Sequence, residues 1–208
     1  MKWLSKISVL ALGLTASAMA YAQSATQQLQ QFVQQVHSAS GQFSQSTIDA
    51  QGASRPAQTG EFAFKRPGKF KWSVLKPYEQ LVISDGKQLY QYDPDLNQLT
   101  QRGVDQAIGT SPAAILFGSG QLEDSFVLED RPDEEAVQWL RATPKSNDAG
   151  FTYVDIAFKD QLPIRLVLLD SFDQRTIIDL TQVNTQAGLA DSTFQFKAPS
   201  GVDVVTLP

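Results

Sequence analysis

The chain has one imidazole, His37, and no thiol at all among its 208 residues. His37 follows Val36 at the end of a glutamine-rich stretch, where an imidazole reads as a solvated helix terminus before it reads as a general base. A serine hydrolase would need that histidine beside a nucleophile elbow, and no G-x-S-x-G occurs. Gly118-Ser119-Gly120 lacks the remainder of a phosphate loop. The carboxylates of Glu123-Asp124, Glu129-Asp130 and Asp133-Glu134-Glu135 sit in hydrophilic runs and read as solvated loops rather than acid–base pairs. With neither cysteine nor a histidine cluster, no metal site is expected. The residues therefore point to no catalytic centre, no metal and no cofactor. Arg66, in Lys65-Arg66-Pro67, offers five donors beside a turn and by itself reads as a surface arginine.

The first 22 residues read as a secretory signal peptide. Lys2 and Lys6 form a positive n-region, an apolar core runs from Ile7 to about Ala18, and Ala20-Tyr21-Ala22 is a cleavage site that would leave Gln23 first. The apolar run is too short to span a bilayer, so export out of the cytoplasm is expected. Loss of the two lysines takes the basic residues from 17 to 15 against 22 acidic ones, a net charge of −7 over the remaining 186 residues. An acidic chain without a Lys/Arg block suits neither nucleic acid nor an anionic membrane surface. Residues 23–208 carry no linker-like stretch, which implies one domain, expected to be a monomer.

Leu29, Phe32, Val33 and Val36 repeat at i, i+3, i+4, i+7, with six glutamines between Gln27 and Gln35 on the other face. That spacing predicts an amphipathic helix, opened by Ser24 and Gln27 as a capping box. About eleven short alternating runs follow, the rhythm of an antiparallel sheet or barrel. Ser111-Pro112 followed by the apolar Ala113 to Phe117 and by Gly118 predicts a second short helix, with a further turn at Leu122 to Ser125.

From Gly60 to Tyr92, alternation sorts side chains onto faces. Phe62 and Phe64 share one face, and Phe70, Trp72 and Val74 share one face of the next strand. Asp85-Gly86 predicts a two-residue hairpin turn that gathers Leu81, Ile83, Tyr90 and Tyr92 on one side. Three adjacent strands then present an aromatic and aliphatic face. Periodicity alone allows two readings: the core of a β-sandwich, or the wall of a ligand cavity with the helices as its cover.

Particular motifs add to this. Phe43-Ser44-Gln45, Lys65-Arg66-Pro67 with Phe70-Lys71-Trp72, Ser84-Asp85-Gly86-Lys87 with Leu89-Tyr90-Gln91-Tyr92-Asp93-Pro94, Phe194-Gln195-Phe196 and Pro199-Ser200-Gly201-Val202-Asp203-Val204 occur in this order. Together they resemble the LolA family of periplasmic outer-membrane lipoprotein carriers, over nearly all of residues 23–208 except Gln121 to Asp148. The resemblance implies an α+β fold, an unclosed antiparallel β-barrel with a helical lid over a hydrophobic cavity. It implies acyl-chain contacts by Phe62, Phe64, Phe70, Trp72, Leu81, Ile83, Tyr90 and Tyr92, and a lid carrying Phe32, Val36, Ile115, Leu116 and Phe117. Arg66 would be the lid latch, bonding helix carbonyls. The partners implied are outer-membrane lipoproteins as cargo, an inner-membrane ABC-type lipoprotein-releasing complex and a LolB-like outer-membrane lipoprotein receptor. A lipid- or glycolipid-binding protein or sensor with the same cavity is the alternative.

Overall fold

Ser24 Oγ accepts from the Gln27 backbone, and Gln27 Oε1 accepts from the Ser24 N–H, the reciprocal cap that the sequence predicts. Helix α1 (Ala25–Gln35) grows from that cap in a computed structural model that describes residues 23–103, 116, 122–146 and 149–207. The helix stops where Val36 turns extended, its N–H still donating to the Phe32 carbonyl. Ala25, Gln28, Leu29 and Phe32 form its buried stripe. The expected leader, Met1 to Ala22, and the lid residues Ile115 and Phe117 lie outside the described residues.

Strands β1 (Ser38–Ile48), β2 (Gln58–Lys65), β3 (Lys69–Lys76), β4 (Gln80–Asp85), β5 (Gln88–Asp93) and β6 (Gln98–Gly103) follow as a meander. After the short helix α2 (Leu122–Ser125) comes a second meander: β7 (Phe126–Glu134), β8 (Val137–Pro144), β9 (Phe151–Lys159), β10 (Leu162–Asp170) and β11 (Arg175–Asn184). A 3-10 turn (Asp191–Phe194) and β12 (Asp203–Thr206) end the described chain. The twelve strands form one sheet in the order β12-β6-β5-β4-β3-β2-β1-β11-β10-β9-β8-β7. Its edges, β12 and β7, do not pair with each other, so the barrel is unclosed. Eleven strands are joined by antiparallel pairing, and β12 adds to β6 in parallel. This twelfth strand has four exposed residues and no alternation for the sequence to show.

Cross-strand register assigns every side chain to a face, because directly paired residues point the same way. One face runs unbroken across both meanders. It carries Leu89 and Val82, then Trp72, Phe70, Phe62, Phe64 and Phe43, and continues through Leu180, Ile178, Leu166, Ile156, Leu140 and Ala142 to Leu128. The inward stripe of α1 packs against this face, contacting β7, β8, β9 and β10 and reaching β2 through the edge-on pair Phe32–Phe64. It is hereafter the inner face. Two glycines let its aromatics lie flat. A Cβ on Gly41 would come within 2.7 Å of the Phe62 ring, and one on Gly60 would strike the Ser73 carbonyl and the Phe43 ring.

The β4–β5 turn is displaced by one residue from the Asp85-Gly86 reading. Asp85 ends β4, and Gly86 carries the positive φ, 93°, at a Gly86-Lys87 tip. Asp85 Oδ1 instead accepts from the Lys87 and Gln88 N–H groups. Moving the tip by one residue moves the register by two, so each β4 and β5 side chain keeps its expected face relative to the other.

Candidate functional site

Arg66 stands at the end of β2, beyond Phe64 and before a turn, and this places its side chain at the rim of the inner face. Its Nε donates to the Val36 carbonyl at 3.0 Å and its Nη2 to the Leu116 carbonyl at 2.5 Å. Val36 caps α1, and Leu116, the one described residue of the predicted second helix, is helical and buried to 1% exposure. One guanidinium thus meets carbonyls from two segments, and that of Val36 lies at the C-cap of α1, where a helix end leaves carbonyls without an intrahelical partner. The guanidinium also lies over the Phe64 ring (4.9 Å) and beside Phe32 (5.9 Å). Burial lowers its pKa to about 10, still well above neutrality, so the donors keep their charge. The Arg66 N–H is fixed in turn by the His37 carbonyl at 2.8 Å. His37 contributes its backbone here, and its side chain is exposed.

Of the eight residues assigned to the acyl wall, Phe62, Phe64, Phe70 and Trp72 lie on the inner face. Phe43 stacks on Trp72 at 3.8 Å, and Phe62 lies 6.1 Å from it. Leu81, Ile83, Tyr90 and Tyr92 do not join them. Trp72 pairs with Val82 and Phe70 with Ser84, whereas Ile83 pairs with Lys71 and Leu81 with Ser73. These four side chains therefore occupy the opposite, outer face. The correction follows from the five-residue connection between Val74 and Gln80, whose length sets which β4 residues share the Trp72 face. Phe43, Val82, Leu89, Leu166, Leu168 and Ile178 take their place on the inner face, and Trp72, Val82, Leu168 and Ile178 are only partly buried there. Alternation within each strand marks them, but only the register joins them.

The outer-face patch has its own cover. Phe196 lies 5.6 Å from both Tyr90 and Tyr92, Phe194 is fully buried, and the 3-10 turn packs on β3 and β4. Burial first, and then the Asp85 charge, raises the Tyr90 pKa. Asp191 pins this strap through Lys65 (2.7 Å) and Lys69 (3.0 Å), and those two partners, Lys65 foremost, hold its carboxyl down at about 2. A polar cleft of about 320 Å³ lies on the same side, bordered by Ser40, Glu61, Lys71, Ser73 and Thr193.

The start of α1 is tied separately. Asp130 Oδ1 accepts from both the N–H (2.8 Å) and the Oγ1 (2.9 Å) of Thr26, an anion at a helix N-terminus. Gln30 donates to Glu123 at 2.6 Å, which holds that carboxyl below its ordinary value. Asp130 was expected in a solvated loop with Glu129, Asp133 and Glu134. These residues lie instead on β7, a charged sheet edge of the kind that discourages further pairing. The following Glu135 and Ala136, both at positive φ, make the hairpin turn into β8.

An unclosed sheet whose apolar inner face is covered by segments fastened through their backbone carbonyls is a lidded half-barrel. The family model of the outer membrane lipoprotein carrier protein LolA matches residues 34–197, and the chain belongs to that family. The match includes the described part of 121–148, where the sequence offered no motif. An outer-membrane lipoprotein carrier protein of Bordetella avium is 57% identical over 204 residues, 98% of each chain. That of Bordetella pertussis is 55% identical, covering 97% of this chain and 95% of its own. The crystal structure of a LolA superfamily protein from Nitrosomonas europaea superposes with a TM-score of 0.52 at 11% identity, covering 84% of this chain and 99% of that one, a likeness of fold.

Proposed function

We propose that this chain is a periplasmic carrier that holds lipoproteins by their acyl chains against the inner face and delivers them to the outer membrane. The observation that carries the reading is the Arg66 bridge from β2 to the carbonyls of Val36 and Leu116, above a continuous apolar surface. Family membership supplies the cargo class. Phe62, Phe64, Phe70 and Trp72, joined by Phe43, Val82 and Ile178, contact the chains. Phe32 and Val36 with Leu116, Ile115 and Phe117 form the lid. Cargo arrives from an inner-membrane ABC-type releasing complex and passes to a LolB-like receptor. No bond of the cargo is made or broken, so the protein acts as a carrier and not as an enzyme.

The physical need is large. Each methylene moved into water costs about 0.8 kcal/mol, so two or three chains of roughly fifteen carbons oppose crossing the periplasm by tens of kcal/mol. A wall that holds them must also release them. Closure of the lid over the empty wall meets this requirement, because lid and cargo compete for the same apolar surface. Mass spectrometry of what co-purifies from the periplasm tests the reading. Lipoprotein supports it, free phospholipid or glycolipid supports a lipid-binding or sensing protein instead, and hydrolysed products would make it an enzyme.

A further inference from the structure

A polar side chain interrupts the apolar stripe of the lid. Gln28 lies between Ala25 and Leu29 on the buried side of α1 and is only 4% exposed. Its Nε2 donates to the Gln23 carbonyl at 3.2 Å and to Gln138 Oε1 at 3.0 Å. A carbonyl only accepts, so the first of these bonds fixes which end of the amide is nitrogen. The Oε1 is left buried with no hydrogen-bond partner among the described residues. Gln138 stands on the inner face of β8, opposite Phe158. A buried amide oxygen without a donor has given up water for nothing, which folded proteins rarely tolerate. Here the amide that carries the oxygen lies where α1 packs on the inner face at β8.

The missing donor has a definite chemistry. An acyl chain carries no N–H. In an acylated polypeptide the donors nearest the chains are the N–H of an N-acyl amide and of the peptide bonds that follow. A diacyl phospholipid offers only ester and phosphate oxygens at that level. We propose that Gln28 Oε1, positioned by Gln138, is a headgroup subsite that accepts an amide N–H where acyl chains join polypeptide. The carrier thereby separates lipidated peptides from phospholipids bearing the same chains. This inference rests on the acyl-chain reading of the inner face. The tethers of α1 agree with it: Asp130 on Thr26 and Glu123 on Gln30 keep the turn bearing Gln28 on the β7–β8 side, while Arg66 fastens the other end.

The test uses two dipalmitoyl lipopeptides, identical except that the amide linkages nearest the chains are N–H amides in one and esters in the other. Each competes with a fluorescent fatty acid for the chain from Gln23. The wild type binds the amide form about tenfold more tightly, the scale of one buried hydrogen bond. Gln28→Met, which keeps length and removes the acceptor, brings the ratio near one, and Gln138→Leu lowers it by loosening the Gln28 amide. Equal binding of both lipopeptides by the wild type, or an undiminished ratio in Gln28→Met, overturns the subsite. If Gln28→Met does not fold, the wild-type and Gln138→Leu ratios decide. Fatty-acid binding without amide preference overturns the subsite alone, whereas failure to bind any of the three probes overturns the acyl-chain reading with it.

Discussion

Trp72 stands directly across from Val82 and one pleat out of step with Ile83. That single register separates the sheet into an inner face, meeting the lid, and an outer face, meeting the C-terminal strap. A photoreactive residue at Phe70 or Val82 is therefore expected to capture lipoprotein in cells, and one at Leu81 or Tyr90 is not. Capture from the Tyr90 side alone would reverse the assignment of faces.

Much of this was legible in the sequence, and the part that was not has a common cause. Ser24 with Gln27, the apolar spacing of Leu29 and Phe32, and the alternation of Phe62, Phe64, Phe70 and Trp72 are local patterns, and the structure carries each of them. Which strands share a face depends on connection length, and one residue in the Leu75 to Glu79 link exchanges the faces of everything after it. Two apolar patches, one under α1 and one under Phe196, consequently looked like one wall. Asp130 was unreadable for a different reason. Its role comes from Thr26, 104 residues away in sequence, and nothing in Glu129-Asp130-Arg131 hints at a helix start overhead.

The lid should loosen on loading while the sheet does not. Amide exchange in Phe32 to Val36 and around Leu116 is expected to rise when cargo enters, with Ile156, Phe158 and Leu166 staying protected. Thr26 to Gln28, tied to β7 and β8, should change less than Phe32 to Val36. Equal protection of α1 in the empty and loaded carrier would make it ordinary core.

The strap over Tyr90 and Tyr92 is held by an ion pair with a defined pH window. The Asp191 carboxyl is depressed to about 2 in the folded chain from an ordinary value of 3.8. The contribution of its bonds to Lys65 and Lys69 is therefore complete above pH 3.8 and is lost as pH falls toward 2. Carbon-detected NMR should place the Asp191 midpoint near 2, and Lys65→Met should raise it. A wild-type midpoint at the ordinary carboxylate value would show that the strap is not pinned there.

The most direct test of the carrier account is the amount of lipoprotein bound to Arg66 variants isolated from cells. Charge-assisted hydrogen bonds contribute about 1.5–3 kcal/mol, so Arg66→Leu should shift the lid about ten- to a hundredfold toward open. Uptake then persists, but the closed empty form that helps expel cargo is lost, and loaded carrier accumulates. Arg66→Lys, with the charge but not the planar fork that reaches both Val36 and Leu116, should lie between. The account predicts more bound lipoprotein per carrier in Arg66→Leu than in the wild type, with delivery to the outer membrane slowed. An Arg66→Leu carrier that comes out empty, or that delivers at the wild-type rate, would contradict it.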